Sequence, residues 1–485
     1  MTRTSPAFPA ASAPAMVSLR LLRRLADFAM PLCMTGTLLD LVAGVPFAPW
    51  VARPALLVYL VLQARHLSGM ARAVLTVACT GAVLTALFQP DPWPLLLEGL
   101  DRFCFFATFM ASLSLLRVAA MRSRLIREAG YSLIHQKPSM RYPALSLGTT
   151  LFGIILNIGA LSLFGAMIQK GNTLRSAGGD ETLRTARERR MILAMLRGFA
   201  ITPLTSPLGI AVVVLLSNMP QLTWPMLLPI ALPIAALMML LGWWLDWWQG
   251  PRPAPGASAR ARPSLRPLGR FSLVVVGITL TAFLFSGLGH IGLPIAVLIA
   301  CPLCAFVWLA VQRRRLNGGS GTGRAWALVV RRASTIFAAN RSEIVMLGGS
   351  AFIGVLITPL VDIELLNAWL SSSGLHGLGL AVTAMLLTLL LGQCGLNPVI
   401  SVTLITALLP DPQALGLVPE VLAVALMSAW TLSMMSSPFT TVLLMVSAFC
   451  RRSPYFVAWR WNGLYYALCL PLVIGVLALG QRFLG

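Results

Sequence analysis

Two pairs of polar, helix-breaking motifs interrupt otherwise apolar stretches of this chain and could form a binding site. The first pair lies at residues 153–157 and 202–207, and the second pair lies at residues 395–398 and 433–438. In each pair, an Asn within one apolar stretch is followed by a Ser-Pro dipeptide in the next long apolar stretch. A helix can break at membrane depth only where protein groups or a water-filled cavity satisfy the freed backbone groups. The motifs therefore predict two polar breaks that surround a solute or ion site.

The chemistry of such breaks follows from proline and from helix ends. Pro207 and Pro438 lack an N–H group and clash with the preceding turn, so each break leaves carbonyl and N–H groups without helical partners. N–H groups at half-helix N-termini attract anions, whereas free carbonyls bind Na⁺ or a proton donor. We predict substrate contacts at Asn157, Asn397, Thr205, Ser206, Ser436 and Ser437, and cation contacts at Gly153, Gly395, Pro207, Pro438 and Thr440.

Simpler interpretations of these residues stay open. Each Ser-Pro is also typical of a structural kink, because Pro and Gly are common in transmembrane helices. Asn157 and Asn397 could instead join neighbouring helices through hydrogen bonds. Acids in or near the apolar stretches are functional candidates, unless they are interfacial and solvated. These acids are Asp27, Asp40, Glu343, Asp362 and Glu364.

The composition indicates a membrane protein that crosses the bilayer many times. Apolar residues make up 57% of the 485 residues and charged residues only 11%, whereas soluble domains carry roughly 25% charge. The net charge of +22 comes from Arg and Lys residues in short loops, which indicates topology rather than nucleic-acid binding. Among the eight Cys, Cys301 and Cys304 have CxxC spacing but lie mid-span, without a second pair or a nearby His. The four His share no metal-like spacing, so we predict no metal and no catalytic residue.

Basic loops set the orientation of the first half. Residues 1–24 are expected to form a cytoplasmic tail, and residues 25–249 the first half of the fold. The stretch 144–168 has basic loops on both sides, so we predict a re-entrant hairpin that enters and leaves the membrane from the cytoplasm. A charged segment then leads into a broken helix at residues 191–218.

The second half repeats this order with the opposite orientation. Residues 250–270, rich in Pro, Ala and Arg, are expected to link the halves in the cytoplasm, and residues 271–485 form the second half. Its hairpin, 378–410, is flanked by loops that contain acids but no Lys or Arg, and a broken helix follows at residues 419–450. We expect residues 316–332 to form a cytoplasmic loop. The predicted fold is an all-α polytopic protein with about eleven transmembrane helices and two opposed hairpins, an inverted-topology repeat.

This arrangement resembles the ion transporter superfamily, especially its divalent anion:sodium symporter branch, which carries dicarboxylates, citrate and sulfate. The resemblance covers roughly residues 99–250 and 343–481. That branch has a Ser-Asn-Thr at each hairpin tip, and this chain keeps only the Asn, at Asn157 and Asn397. The resemblance implies that both Asn side chains contact substrate and that the Ser-Pro breaks help to form paired cation sites. Related branches carry arsenite, citrate–metal complexes or protons.

The sequence therefore predicts a secondary active transporter rather than an enzyme. It would move a small anionic solute across a bacterial-type inner membrane by alternating access, coupled to Na⁺ or H⁺. The N-terminus would be cytoplasmic and the C-terminus periplasmic. Expected partners are the anion, the lipid bilayer and a second copy in a homodimer, with no nucleic acid and no cofactor beyond Na⁺ as a coupling ion. The alternative is an integral-membrane enzyme or an assembly subunit of envelope glycan or lipid biosynthesis.

Overall fold

The structure, a computed structural model, describes residues 13–249, 264–317, 321–409 and 411–484. These residues are helical with short connections and include no strand. Eight helices among them are long and apolar enough to cross a membrane, judged by length and composition. The prediction of an all-α polytopic membrane protein is therefore confirmed.

The first half contains eleven α-helices in the part of the chain that the structure describes, besides short 3-10 turns at Ala64–His66 and Arg175–Ala177. The first apolar stretches form long continuous helices, whereas the later apolar stretches form interrupted helices. The helices are α1 (Ala13–Ala43), α2 (Ala48–Gln63), α3 (Gly69–Phe88), α4 (Trp93–Met121), α5 (Arg124–Ile134), α6 (Pro138–Leu156), α7 (Ile158–Gly171), α8 (Glu181–Ala200), α9 (Thr202–Thr205), α10 (Ile210–Asn218) and α11 (Trp224–Gln249).

The second half follows residues 250–263, which lie outside the described residues. Its helices show the same order of a hairpin followed by a broken helix. They are α12 (Arg266–Gly289), α13 (Leu293–Asn317), α14 (Gly321–Ala338), α15 (Arg341–Ile357), α16 (Ile363–Ser372), α17 (Gly377–Gln393), α18 (Pro398–Leu408), α19 (Pro419–Ser436), α20 (Thr441–Cys450) and α21 (Gly463–Leu484).

Several segments that the sequence predicted as tail, linker or loop are helical. Helix α1 begins at Ala13, inside the expected tail 1–24, and residues 1–12 lie outside the described residues. Helix α12 likewise begins at Arg266, inside the expected linker 250–270. The expected loop 316–332 is wrong at each of its described residues, because α13 extends to Asn317 and α14 begins at Gly321. The segment is helical despite its charged residues because α14 is amphipathic: it buries one apolar stripe and exposes its polar face. The buried residues are Ala325, Ala333, Ile336 and Phe337.

The two halves are packed through equivalent helices. Helices α4 and α15 run antiparallel at the centre, with Gly99 of α4 beside Phe352 of α15 and Gly348 of α15 beside Phe103 of α4. In each half, the first hairpin arm packs on the first part of the broken helix, α6 on α8 and α17 on α19. The second part of each broken helix packs against the hairpin of the other half. Helix α10 packs against α18 of the second hairpin, and α20 packs against α7 of the first hairpin. Each break is therefore held between the two halves.

Candidate functional site

The first hairpin turns at a single residue, Asn157. Its backbone has φ 49° and ψ −137°, a conformation outside the left-handed helical region that a residue with a Cβ rarely adopts. The Asn157 N–H donates to the Gly153 carbonyl at 2.9 Å, and the Ala160 N–H donates to the Asn157 carbonyl at 2.9 Å. The Asn157 side chain caps neither helix and has no hydrogen-bond partner among the described residues. Its carboxamide is therefore free to bind a solute.

The second hairpin turns through four residues, 394–397, between α17 and α18. Gly395 has φ 95°, which a residue with a Cβ rarely adopts. Asn397 has extended backbone, and its side-chain oxygen accepts from the Val399 N–H at 2.9 Å. Pro398 occupies the first helical position, where its missing N–H leaves no helical bond unmade. The Asn397 oxygen is thus used as a helix cap.

The two helix breaks, residues 206–209 and 437–440, share one backbone geometry. The first part of each helix ends at a serine in extended conformation, Ser206 with φ −106° and ψ 112° and Ser437 with φ −80° and ψ 120°. The next part begins after another extended residue, Gly209 with φ −77° and ψ 149° or Thr440 with φ −70° and ψ 139°. In both breaks this second residue donates its N–H to the serine carbonyl, at 3.1 Å and 3.3 Å respectively.

The side chains of the two breaks are used differently. The Ser206 hydroxyl is buried and has no hydrogen-bond partner among the described residues. The Ser437 hydroxyl donates to the Gly392 carbonyl of the second hairpin at 2.6 Å. Thr440 donates to the Ser437 carbonyl at 3.0 Å and caps α20 by accepting from the Leu443 N–H at 3.4 Å.

A cavity of about 290 Å³ lies where the second break meets both hairpin tips. Five of the predicted site residues line it, and a smaller cavity of about 60 Å³ lies at the first break, with Gly153 and Ser206 in its wall. Both cavities are bounded by Asn157, Phe199, Ile210, Trp430 and Met434. The predicted residues in the larger cavity are Asn157, Gly395, Asn397, Ser437 and Thr440.

Four predicted site residues do not line either cavity. The Thr205 hydroxyl donates to the Ile201 carbonyl at 3.3 Å within its own helix. The Ser436 hydroxyl donates to the Leu432 carbonyl at 2.9 Å and accepts from the Gln393 side chain at 2.9 Å. Pro207 and Pro438 lie within the breaks and shape the backbone that other residues present.

Four helix N-termini converge on the larger cavity. Its lining includes the first residue of α7, of α10, of α18 and of α20. A helix N-terminus carries about half a positive charge from its unpaired N–H groups, and it is a ready-made anion site. The four helix ends therefore bring partial positive charge to the cavity wall, although α18 and α20 each have one N–H already bonded to a cap, Asn397 and Thr440 respectively. These first residues are Ile158, Ile210, Pro398 and Thr441.

Several residues that line the two cavities were not predicted from the sequence. Phe199 and Trp430 form a wall common to both cavities, and no pattern distinguishes them from core aromatic residues. Glu343 is the charged residue among the lining residues of the larger cavity. Near it, Arg117 donates to the Asn340 side chain at 3.1 Å, and its Nε would lie 2.8 Å from a Cβ on Gly159. No group of three His, Cys, Asp or Glu side chains suited to a metal occurs in the described ranges.

Structural neighbours of the chain were found, whereas no protein-family model and no curated protein sequence matches it. The YdaH transporter of Alcanivorax borkumensis is 14% identical, with a TM-score of 0.48 over 84% of this chain and 97% of that chain. MtrF of Neisseria gonorrhoeae, described with a class of antimetabolite efflux pumps, is 13% identical, with a TM-score of 0.45 over 85% of this chain and 94% of that chain. Neither is described as a divalent anion:sodium symporter, so that branch stays a prediction.

Proposed function

We propose that this chain is a secondary active transporter for a small anionic solute. The observation that carries the proposal is the convergence of four helix N-termini on one cavity of about 290 Å³. N–H groups that point at a solute bind anions, and the helix dipoles add to the attraction. The carboxamides of Asn157 and Asn397 also reach this cavity and supply oriented donors. Two broken helices and two hairpins around one site are the arrangement that secondary transporters use.

Alternating access is supported by the way the halves are interleaved. Because α10 packs on the second hairpin and α20 on the first, a movement of one half against the other changes both walls of the cavity. The lining also includes Ser68 and Met70, which are exposed. They lie beside Arg65 and Arg72, which the positive-inside rule assigns to the cytoplasm. We therefore interpret this conformation as the one that opens inward.

The membrane, the orientation, the oligomeric state, the solute class and the coupling ion that we propose are those predicted from the sequence. The transporter would lie in a bacterial-type inner membrane, with a cytoplasmic N-terminus and a periplasmic C-terminus, and would act as a homodimer. Its solute would belong to the dicarboxylate, citrate or sulfate class, and Na⁺ or H⁺ would drive it. An enzyme of the membrane interface would need a cluster of acids, His or Arg at its site, and among the residues that the structure describes the cavity lining has one charged side chain, Glu343.

The test is solute exchange in proteoliposomes that contain the full-length chain. Vesicles loaded with sulfate, succinate or citrate should exchange at least one of these anions with its labelled form outside. Asn157→Ala should abolish exchange, because the unpartnered carboxamide in the cavity is lost. Asn218→Ala is the matched control and should retain exchange, because Asn218 lies outside the cavity and bonds Thr406. No exchange of any of the three anions by the folded wild type, or equal exchange by Asn157→Ala, would reject the proposal.

A further inference from the structure

The carboxyl group of Glu343 occupies a position in the cavity that the proposed function leaves unexplained. Glu343 lies in the first turn of α15 and lines the larger cavity together with Asn157 and Asn397. It is partly buried, and its carboxyl group forms no hydrogen bond or ion pair with any residue that the structure describes. An acid within a membrane segment is costly and marks an ion pathway or proton relay by default.

The charged surroundings of Glu343 are sparse. Arg117 on α4 is close enough to attract the carboxylate electrostatically, but its hydrogen bond goes to Asn340 rather than to Glu343. On α15 itself, Arg341 is held by the His66 carbonyl at 2.7 Å. Helix α18, which packs against α15, has no titratable residue. The remaining titratable residues on packed helices are Arg72 and Cys79 on α3 and, toward the other end of α4, Glu98, Asp101, Arg102 and Cys104.

The position of Glu343 makes anion binding depend on its protonation. The ionised carboxylate places a negative charge in the same cavity at which four helix N-termini attract an anion, and like charges in a desolvated site repel strongly. The neutral carboxylic acid removes this repulsion and can donate a hydrogen bond. One proton taken up by Glu343 therefore favours occupation of the cavity by the anion.

We propose that Glu343 binds the coupling proton, so that proton and anion cross the membrane together. The inference rests on the proposed function and specifies H⁺ rather than Na⁺ as the driving ion. The carboxylate takes one proton from the aqueous side to which the cavity is open, the anion enters, and both leave after the cavity opens to the other side. Without proton and anion, the ionised side chain has Arg117 as its nearby counter-charge.

The first arm of the test measures the proton without any solute. Infrared difference spectra of the purified full-length protein, titrated between about pH 5 and pH 9, should show a protonated-carboxyl band that grows as the pH falls. Glu343→Gln should lose this band. Glu420→Gln is the matched control, because Glu420 also lies in the first turn of an apolar helix, α19, but outside the cavity. A band unchanged in Glu343→Gln would overturn the inference.

The second arm measures coupling with whichever of sulfate, succinate and citrate the wild type exchanges. A pH gradient, acidic outside, should drive net uptake by the wild type, with the accumulation ratio rising up to about tenfold per pH unit for one proton. Glu343→Gln imitates the neutral acid permanently and cannot release a proton, so it should lose the pH-driven accumulation. Glu343→Asp should restore part of it.

The experiments distinguish a failure of the proposed function from a failure of the proton inference. An absence of exchange by the wild type rejects the proposed function, whereas the infrared band still reports whether Glu343 titrates. Exchange by the wild type with unchanged pH-driven accumulation in Glu343→Gln, or accumulation driven by Na⁺ alone, rejects the proton inference and leaves the transporter proposal standing.

Discussion

The two halves of the molecule have the same backbone design but use their polar side chains differently. At the first tip, the Asn157 side chain has no protein partner, whereas at the second tip the Asn397 oxygen caps α18. At the first break, the Ser206 hydroxyl is buried without a partner, whereas Ser437 donates to the second hairpin. The first half thus leaves its polar groups available, and the second half uses the equivalent groups to hold its own backbone in place. We infer that the Asn157 carboxamide contacts the solute directly, whereas the equivalent Asn397 oxygen holds the backbone of the second tip.

The largest expected difference between the halves concerns two glycines where a hairpin packs against its broken helix. A Cβ on Gly198 would overlap the Ser146 carbonyl and the Thr149 hydroxyl, whereas one on Gly392 would overlap only the Ser433 hydroxyl, which has no bonded partner. The Ser146 backbone cannot move away from an added methyl group as easily as the Ser433 hydroxyl can. Gly198→Ala should lower the free energy of unfolding in detergent by about 1–3 kcal/mol, and Gly392→Ala by much less.

The control for this comparison is Gly277→Ala, since a Cβ at this helical position meets no atom within 4 Å. It should leave stability unchanged or raise it slightly, because Ala is the better helix former. Equal destabilisation by Gly198→Ala and Gly392→Ala would show that the two hairpins are packed with the same tolerance.

The second prediction separates the two hairpin asparagines. Asn397→Ala removes the α18 cap and should cost about 1 kcal/mol of unfolding free energy. Asn157→Gly removes the same carboxamide without the strain that Ala would meet at φ 49°, and it removes no hydrogen bond of the folded chain, so it should leave stability almost unchanged while abolishing anion exchange. Chemical unfolding in micelles, with exchange measured on the same preparations, checks both. The comparison fails if Asn157→Gly destabilises the protein as much as Asn397→Ala does.

The smallest expected effect concerns the two break serines. Ser437→Ala loses the bond to the Gly392 carbonyl, which still accepts from the Gly395 N–H, and the bond that the hydroxyl accepts from the Phe439 N–H, at a cost of about 1 kcal/mol. Ser206→Ala removes a buried hydroxyl that has no partner, so stability should stay the same or rise by a few tenths of a kcal/mol. Thermal unfolding of the purified variants measures the difference. A clear loss of stability in Ser206→Ala would mean that this hydroxyl already has a structural partner.

The sequence predicts the helix breaks and turns of this fold better than it predicts which helices pack against each other. Both Ser-Pro breaks and both hairpin turns could be located, because Pro removes a donor and Asn and Gly permit unusual backbone angles. The exchange of α10 and α20 between the halves could not be predicted, since no local pattern specifies which helix packs against which. Glu343 stood out as an acid near a span, but only the packing of α15 beside the tips brings it to the cavity. The Ser436 and Thr205 hydroxyls could not be told from their cavity-lining neighbours, because one residue of helical rotation decides the side they face.

The central claim, that two hairpins enter from opposite sides and meet at one cavity, is tested most directly at their bases. Single cysteines on a cysteine-free background would replace Lys137 and Thr173 at the first hairpin and Ser373 and Gln413 at the second, all exposed. A membrane-impermeant maleimide should label both positions of the first hairpin from the cytoplasmic side only and both positions of the second from the outside only. If the two bases of either hairpin are labelled from opposite sides, that segment is an ordinary span, and the account is contradicted.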